Sequence, residues 1–436
     1  MRFTKLFAAV LCSLAALAAS GQSLRDEIAA NPGKSGGVYY VYTYDDPVLT
    51  PAPKGYKPFY ISHYGRHGSR WLLHDSEYEE VMAVFRAADA ANAFTERGRE
   101  VYGRVKRVYD DGIDRGGDLS PLGAGQHREI AGRMYRNFPE VFRSGAVVDA
   151  QATLVVRCVL SMAAFCERLK ELNPRLEVSR TAGRRTTRYL NFYSKPTNPT
   201  LSREYLDFID KGGWLKEYER IGDRFVRPDR LMSELFADGE FVRTIDAQKL
   251  MKGLFYFAAD MQNVGLGISF YDLFTTDELY GLNVYDNYKY YVIRGPSPLN
   301  RRFPQYYAKA LLEDFLTRAD RAVEGGAVSA DLRFGHDGNL MTFVSLLQFE
   351  GCDVVESDPE KIAEAWPVYR ISPMAANIQL VFYRKKAADD VLVKFLYNER
   401  EVRIPVESDL APYYRWNDVR DFYRKAMDNL PDPAGK

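Results

Sequence analysis

Two histidines stand among residues that can bind phosphate, and the first of them is His67. The stretch FYISHYGRHGSR places it between Arg66 and Arg70 at the end of an apolar run. Guanidinium groups hold phosphate oxygens with paired hydrogen bonds, and a neutral imidazole can attack phosphorus near neutral pH. Gly68 removes a side chain where the backbone and a phosphate must approach closely. On these residues alone, a phosphate site and an ordinary surface turn explain the pattern equally well.

The second histidine, His336, directly precedes Asp337 in the stretch DLRFGHDGNLMTF. This pattern is typical of a strand that ends in a polar pair and leads into an apolar helix. A histidine beside a carboxylic acid supplies another phosphate donor and a proton for a leaving alcohol. An aspartate at a helix start is also commonly a cap. A cap explains Asp337 alone and leaves His336 unexplained, so the two stretches together favour phosphoryl transfer.

The elements that must position these residues indicate an α/β sheet. The segment KPFYISHY and residues 331–335 are predicted to be strands, and ligands of open α/β sheets bind beyond the carboxyl ends of strands. The other predicted strands are 152–156, 378–384 and 391–396, and the predicted helices are 76–91, 121–137, 159–172 and 306–323. Strands that alternate with helices are typical of the α/β class.

These motifs resemble the histidine acid phosphatase family, the branch of the histidine phosphatases that includes phytases. Residues 66–70 and 336–337 match its RHGxRxP and HD motifs, and LSPLGAGQHREIAGRMY resembles its LTxxGxxQ helix. Arg157, eight residues before Phe165, resembles its third phosphate-binding arginine. VLVKFLYNEREVRIPV is similar to its closing hairpin. The resemblance runs over most of the mature chain.

The chain departs from the family pattern in two places. Trp71-Leu72 follows Arg70, so the proline of RHGxRxP is absent, which alters the exit of the loop without removing a catalytic group. Multiple inositol polyphosphate phosphatases usually carry His-Ala-Glu where this chain has His336-Asp337. On that point it is closer to the acid phosphatase, bacterial phytase and glucose-1-phosphatase type, whereas its length and the Tyr-Gly-Arg-His-Gly spacing keep the inositol-polyphosphate group in consideration.

The resemblance implies a Rossmann-like sheet of the phosphoglycerate-mutase type, with helices on both faces and a mostly helical inserted cap domain. Residues 197–299 are aromatic and charged and lack a clear strand series, so they are predicted to be this cap. The α/β catalytic domain is then predicted to comprise 22–196 and 300–436. Residues 1–20 are predicted to be a signal peptide.

The resemblance also implies a role for each site residue. His67 would attack phosphorus and form a phosphohistidine, and Asp337 would protonate the leaving alkoxide. Asn339 would support the site. The phosphate oxygens would be held by Arg66, Arg70, Arg157 and His336. No metal and no cofactor is implied, because the arginines supply the positive charge.

Several other residues attract attention but have simpler explanations. His63 is expected to pack beneath the loop, His74 to be an exposed polar residue and His127 to be structural. The basic cluster Arg180, Arg184, Arg185 and Arg188 suits a polyphosphorylated substrate, but solvated surface charge is the commoner explanation. The tyrosines Tyr280, Tyr285, Tyr288, Tyr290 and Tyr291 suit either a pocket for a sugar-like group or, as the preferred explanation, the core of the cap.

Composition excludes several classes of protein. The 436 residues include 59 basic and 59 acidic ones, a balance that argues against general affinity for nucleic acids or membrane surfaces. The N-terminus has basic Arg2 and Lys5, an apolar run and then small residues, as in a secretory signal peptide that is too short to span a membrane. Cys158, Cys166 and Cys352 form neither a disulfide framework nor a zinc pattern.

The leading hypothesis is therefore an exported, metal-independent phosphomonoesterase that uses a phosphohistidine. Its substrate would be inositol phosphates, as for a phytase, or sugar phosphates, and a broad-specificity acid phosphatase is the alternative. A non-catalytic envelope protein that binds polyanions, and a transferase or mutase, are competing classes. The periplasm and the exterior are both open as destinations, and the oligomeric state is left open.

Overall fold

The structure is a computed structural model that describes residues 23–386 and 390–433, and its centre is one mixed β-sheet. The strands are β1 (Lys57–Arg66), β2 (Val147–Ala152), β3 (Glu177–Ala182), β4 (Val328–Gly335), β5 (Asn377–Arg384), β6 (Leu392–Tyr397), β7 (Arg400–Glu401) and β8 (Tyr413–Arg415). In this part of the chain the strand order is β3-β2-β4-β1-β5-β6-β7, and β8 pairs with β6. Strands β1 to β4 pair in parallel, and β5 adds an antiparallel half.

Helices flank the sheet and fill the long connection between β3 and β4. In the first half of the chain they are α1 (Leu24–Ala30), α2 (Asp75–Ala90), α3 (Glu96–Gly112), α4 (Pro121–Asn137), α5 (Val156–Leu172), α6 (Arg184–Leu190), α7 (Arg203–Lys211) and α8 (Trp214–Phe225). They continue with α9 (Asp229–Leu235), α10 (Gly239–Arg243), α11 (Ala247–Val264), α12 (Thr276–Arg294), α13 (Phe303–Val323), α14 (Asp337–Leu346), α15 (Ile362–Ala365), α16 (Val368–Ile371) and α17 (Trp416–Asp428). Single 3₁₀ segments occupy Pro32–Tyr39, Tyr271–Leu273 and Pro298–Asn300.

Both faces of the sheet are buried, which β1 illustrates. Successive side chains of a strand point to opposite faces. Tyr60 and Tyr64 pack in the larger apolar cluster, which includes the helices of residues 203–294, whereas Ile61 packs in a second cluster with α4 and α5. The predicted α/β class, with a central sheet flanked by helices, is confirmed.

The predicted strand at 152–156 is wrong. Strand β2 ends at Ala152, and α5 begins at Val156, three residues earlier than the predicted helix 159–172. The apolar sequence misled because Leu154 and Val156 are 49% and 64% exposed and lie in a turn and a first helical turn. The main-chain N–H of Leu154 donates to Oγ1 of Thr187 at 3.0 Å, which holds this turn against α6.

Residues 197–299, the predicted cap, contain α7 to α12. Two of these helices also hold the N-terminal segment of the described chain. Nδ2 of Asn283 on α12 donates to the carbonyl oxygen of Ser35 at 2.9 Å, and Nδ2 of Asn263 on α11 donates to that of Tyr39 at 2.9 Å. The division of the chain into catalytic domain and cap stays a prediction. The predicted signal peptide lies outside the described residues.

Candidate active site

His67 directly follows β1 and is held by main-chain hydrogen bonds on both sides. Its N–H donates to the carbonyl oxygen of Gly335 at 3.0 Å, and its own carbonyl accepts the N–H of Ala375 at 3.0 Å. Nδ1 of the ring lies 2.9 Å from the carbonyl oxygen of Gly68. A carbonyl oxygen only accepts, so Nδ1 carries the proton and Nε2 keeps its lone pair. The loop therefore presents the ring as a nucleophile.

The N-terminus of α4 packs directly on this loop, and two glycines make the approach possible. A Cβ on Gly68 would lie 2.3 Å from the carbonyl oxygen of Gly123, and one on Gly123 would lie 2.2 Å from that of Ser69. The N–H of Ser69 donates to Oε1 of Gln126 at 2.9 Å. Oγ of Ser69 donates to Oδ1 of Asn263 at 2.8 Å. The loop is therefore hydrogen-bonded to both α4 and α11.

Three arginines converge on His67, and main-chain carbonyl oxygens anchor them. Nη1 of Arg66 donates to the carbonyl oxygens of Val38 and Ser372 at 2.7 and 2.6 Å. Nη1 of Arg70 donates to its neighbour Trp71, and Nη1 of Arg157 donates to Gly117.

These guanidinium groups still have hydrogen-bonding capacity. Nε of Arg66, Nε of Arg70 and Nε of Arg157 are buried and have no hydrogen-bond acceptor among the described residues, and Nη2 of Arg66 has only an ion-pair contact with Asp337. Buried donors nearly always have acceptors in native proteins. Their N–H groups are therefore suited to an anionic ligand.

His336 and Asp337 are brought to the same place by the parallel pairing of β1 with β4, in which Arg66 lies opposite Gly335. The imidazole rings of His67 and His336 are 5.9 Å apart. Asp337 begins α14, and its Oδ1 accepts the N–H of Gly338 at 2.6 Å. Its Oδ2 lies 3.3 Å from Nη2 of Arg66, and its side chain is 26% exposed.

Burial and the arginines determine the charges of these groups. Burial, reinforced by Arg157, Arg66 and Arg70, holds the pKa of His67 well below its ordinary value, so its ring is neutral. Burial and Arg157 likewise lower the pKa of His336 to about 3.

Asp337 carries the opposite charge. Burial alone would raise its pKa, but Arg66 and Arg70 outweigh burial and bring it down to about 2. In the protein alone, Asp337 is ionised at mildly acidic pH.

The predicted site residues, Asn339 among them, thus lie together, and Arg294, which the motifs did not predict, joins them. Asn339 is buried on α14, and its Nδ2 has no acceptor among the described residues. Arg294, at the end of α12, lies so close that a Cβ on Gly338 would be 3.0 Å from its Nε. Nη1 of Arg294 donates to the hydroxyl of Tyr205 at 2.8 Å. The sequence signal was weak, since Arg294 stands in a segment assigned only to the cap.

Three histidines outside the motifs have simple surroundings. His63 and His127 are buried and pack against the rings of Phe165 and Phe334. His74 is exposed and directly precedes α2. These positions agree with the packing, structural and exposed roles expected of them.

The tyrosines of α12 divide into two groups. Tyr288 and Tyr291 are buried in the larger apolar cluster, as expected for core residues. Tyr285 lines a cavity instead, and burial and next the charge of Asp337 raise the pKa of Tyr290.

The basic cluster at 180–188 lies on β3 and α6 and is exposed. None of its four arginine side chains forms an ion pair or hydrogen bond with any residue in 23–386 or 390–433. Helix α6 ends next to the site, because the carbonyl oxygen of Leu190 accepts the hydroxyl of Tyr64 at 3.0 Å. The same hydroxyl lies 3.2 Å from the main-chain nitrogen of His336 and accepts its N–H.

The fold and this cluster of arginines and histidines define a phosphoryl-transfer class of protein. The family model described as "Histidine phosphatase superfamily (branch 2)" matches residues 65–398. The chain belongs to this family and is a hydrolase of the histidine acid phosphatase type. A search of curated proteins found no match.

Solved structures share the fold. The multiple inositol polyphosphate phosphatase of Bifidobacterium longum, in complex with inositol hexasulfate, has a TM-score of 0.76 at 19% identity, over 92% of this chain and 100% of that one. The phytase of D. castellii has a TM-score of 0.65 at 14% identity, over 91% of this chain and 86% of that one. Hafnia alvei phytase, in complex with tartrate, has a TM-score of 0.52 at 13% identity, over 88% and 100%.

Proposed function

We propose that the protein is an exported phosphomonoesterase that works without a metal ion, forms a phosphohistidine on His67 and acts on inositol phosphates or sugar phosphates. The observation that carries this proposal is the convergence of three arginines, the buried Arg66 and Arg70 and the partly buried Arg157, on a neutral histidine. Their free N–H groups suit the three equatorial oxygens of a phosphoryl group, which carry the charge of the transition state.

The first chemical step is attack by Nε2 of His67. The N–P bond forms as the bond between phosphorus and the ester oxygen breaks, and Asp337 gives its proton to the departing alkoxide. In the second step a water molecule attacks phosphorus and gives a proton to the Asp337 carboxylate. The N–P bond then breaks, and His67 returns to its neutral form.

Asp337 needs a proton for the first step, and the bound substrate explains how it obtains one. Its pKa of about 2 reflects the charges of Arg66 and Arg70. The negative charge of a bound phosphate offsets these cations, so the pKa of Asp337 rises in the complex. A substrate that arrives as the monoanion also brings a proton, and we therefore expect activity at mildly acidic pH.

The substrate class is proposed from the charges around the site. The arginines of α6 have no carboxylate partner among the residues that the structure describes and lie on the His336 side, where further phosphate groups of an inositol phosphate would bind them. The printed names of the structural relatives, a multiple inositol polyphosphate phosphatase and phytases, agree with this class. The His-Asp pair, which favours the phytase or acid phosphatase type, is compatible with it.

The site chemistry is tested with p-nitrophenyl phosphate at mildly acidic pH in the presence of a chelator. The protein should hydrolyse it, and His67→Ala should abolish the activity. After an acid-free quench with radiolabelled substrate, an acid-labile label on His67 should be recovered. If His67→Ala keeps wild-type activity, the mechanism is wrong, and phosphate binding without turnover would favour a polyanion-binding protein.

The substrate is tested by parallel phosphate release from phytate, glucose 1-phosphate and simple esters. Preference for phytate or glucose 1-phosphate supports the proposed class. A strong preference for simple esters would replace it with a broad-specificity acid phosphatase while leaving the chemistry intact.

Export is proposed from the signal-like N-terminus, with the periplasm or the exterior as destination. No helix in residues 23–386 or 390–433 is long and apolar enough to cross a membrane. Cell fractionation with N-terminal sequencing of the mature protein tests this. A chain that keeps residues 1–20 in the cytoplasm would contradict it.

A further inference from the structure

A cavity of about 460 Å³ opens between α2, α8, α11 and α12. Aromatic and charged side chains line it, including Glu77, Tyr218, Lys252, Tyr256 and Tyr285. The rings of Tyr218 and Tyr285 stack with centroids 4.2 Å apart. Aromatic faces beside hydrogen-bonding groups suit a compact ring that carries polar substituents.

A short series of side chains connects this cavity with the catalytic arginines. The guanidinium carbon of Arg70 lies 5.1 Å from the ring centroid of Tyr39. The ring of Tyr39 is 6.0 Å from that of Tyr256, which lines the cavity. The cavity is therefore separated from Arg70 by two aromatic rings, those of Tyr39 and Tyr256.

Asp286 provides a hydrogen-bond acceptor at this place. Its Oδ1 accepts the hydroxyl of Tyr256 at 2.9 Å, whereas its Oδ2 has no partner among the described residues and its side chain is partly exposed. Lys252 and Lys289 are near enough to act on its charge but form no ion pair with it. Burial raises the pKa of Asp286 to about 6.

The charges of both Asp286 and the catalytic carboxylate act on Tyr290. Burial raises its pKa first, and the charges of Asp337, Tyr39 and Asp286 add to the effect. Asp286 and Tyr290 are four residues apart on α12 and so share one helix face. Lys252 and Lys289 near Asp286 and Arg294 at the end of α12 are cations on this side, whereas α6 on the His336 side presents three exposed arginines.

We propose that Asp286, with Tyr256 and Tyr285, forms a leaving-group subsite that binds free hydroxyl groups of a polyol ring and disfavours phosphate groups. An ionised carboxylate only accepts hydrogen bonds, so it binds a hydroxyl and repels a phosphate dianion. This inference rests on the proposed function. The inference extends the proposed function, because a ring that carries several phosphates must then place its free hydroxyls towards α12 and its further phosphates towards α6.

The test compares Asp286→Asn with wild type on three substrates at pH 7, where Asp286 is ionised. Glucose 1-phosphate offers a hydroxylated ring, phytate offers only phosphates, and p-nitrophenyl phosphate offers neither. The kcat/KM for glucose 1-phosphate should fall about tenfold, as expected when a charged hydrogen bond is lost. The kcat/KM for phytate should rise or stay unchanged, and that for p-nitrophenyl phosphate should stay within about twofold.

Asp277→Asn is the matched control, since Asp277 lies on the same helix but is exposed and pairs with Arg25. It should leave all three values unchanged. Tyr285→Leu, which removes a ring and no charge, should lower the value for glucose 1-phosphate selectively. It keeps the proposal testable if Asp286→Asn does not fold.

The outcomes separate this proposal from the proposed function. Equal losses on glucose 1-phosphate and p-nitrophenyl phosphate in Asp286→Asn, or no loss on either, would overturn the hydroxyl subsite while leaving the phosphatase chemistry standing. Absence of turnover in the wild-type protein would instead overturn the proposed function.

Discussion

The neutral state of His67 is a property of its surroundings at the scale of one residue. Burial and three cations hold its pKa well below its ordinary value. We expect its ring signal in a histidine-labelled NMR titration to stay constant from pH 7 to pH 4.5. The urea-unfolded protein is the control, in which the ring titrates with a pKa of about 6.5. A native-state midpoint near that value would show that His67 is solvated and that the arginines do not act on it.

Asp337 leads to a second prediction at this scale, because a general acid matters most for a poor leaving group. Asp337→Asn should lower kcat for glycerol 2-phosphate by about 10²-fold or more, the usual contribution of general acid catalysis. The loss for p-nitrophenyl phosphate should be under about tenfold, because p-nitrophenolate leaves without a proton. Steady-state kinetics on both esters measure this difference. Equal losses on the two esters would assign Asp337 a role in binding alone.

Residues that belong to a family motif, including Arg157 on α5, could be predicted from the sequence, and residues of the cap helices could not. Arg66, His67 and Arg70 lie at the end of β1 and in the loop after it, and together with His336-Asp337 their residue types favoured a phosphate site before any fold was known. Arg294 and Asp286 come from α12, whose aromatic and charged sequence resembles an ordinary cap helix. The positions of Arg294 and Asp286 depend on how α12 packs against the rest of the protein. The local sequence does not predict that packing.

At the scale of elements, the contact between α4 and the loop after β1 gives a prediction with a built-in control. Gly123→Ala would place a Cβ 2.2 Å from the carbonyl oxygen of Ser69. We expect a loss of about 1–3 kcal/mol in the free energy of unfolding, typical of overpacking. The kcat/KM should fall as well, because the loop carries His67. Urea unfolding and kinetics measure the two effects.

Gly125→Ala is the matched variant on the same helix. No atom of the described residues lies within 4 Å of a Cβ at this position. Alanine is the better helix former, so this variant should be more stable by roughly 0.5–1 kcal/mol and keep its activity. Equal behaviour of the two alanine variants would show that α4 does not press on the loop.

Helices and strands were predicted most accurately where the hydrophobic periodicity and the capping residues indicated the same bounds. The helix 121–137 coincides with α4, whose Ser120 accepts the N–H of Gly123 and whose first residue is proline. The strand at 152–156 was wrong because exposed apolar residues cannot be distinguished from buried ones by type. Strand β3 was missed, since it is an exposed edge strand whose side chains lack the alternating pattern of a half-buried strand.

At the scale of the whole molecule, buried neutral histidines make stability depend on pH. The pKa values of His63, His67, His127 and His336 are all lowered, chiefly by burial. Below about pH 6.5 the unfolded chain binds protons that the folded chain does not. Each such histidine therefore lowers the free energy of unfolding by about 1.4 kcal/mol per pH unit of acidification.

Two carboxyl groups have the opposite effect on the free energy of unfolding, which they raise on acidification. Burial raises the pKa of Asp260 to about 8 and that of Asp286 to about 6. Between about pH 4 and these values the folded chain binds the extra protons, so acidification stabilises it through these groups. Four histidines outweigh two aspartates, and we expect a net loss of stability from pH 6 to pH 4.5.

Urea unfolding at several pH values measures this dependence, and His127→Leu isolates one contribution. The variant should lose less stability on acidification than wild type, by about 1.4 kcal/mol per pH unit. His127 packs against Phe165 and Phe334, where an apolar side chain is tolerated. An unchanged slope in this variant would mean that His127 is protonated in the folded protein.

The parallel pairing of β1 with β4 has a consequence for how such a chain can change over generations. Arg66 stands opposite Gly335, so the two halves of the catalytic machinery meet only in this register. One inserted residue in either strand would shift the pairing and turn every following side chain to the other face. Insertions between α6 and α13 do not change the hydrogen-bonded pairing of β1 with β4. Descendants of this protein can therefore exchange long stretches of the helical connection, and with them the molecules they accept, while the two strands keep their length.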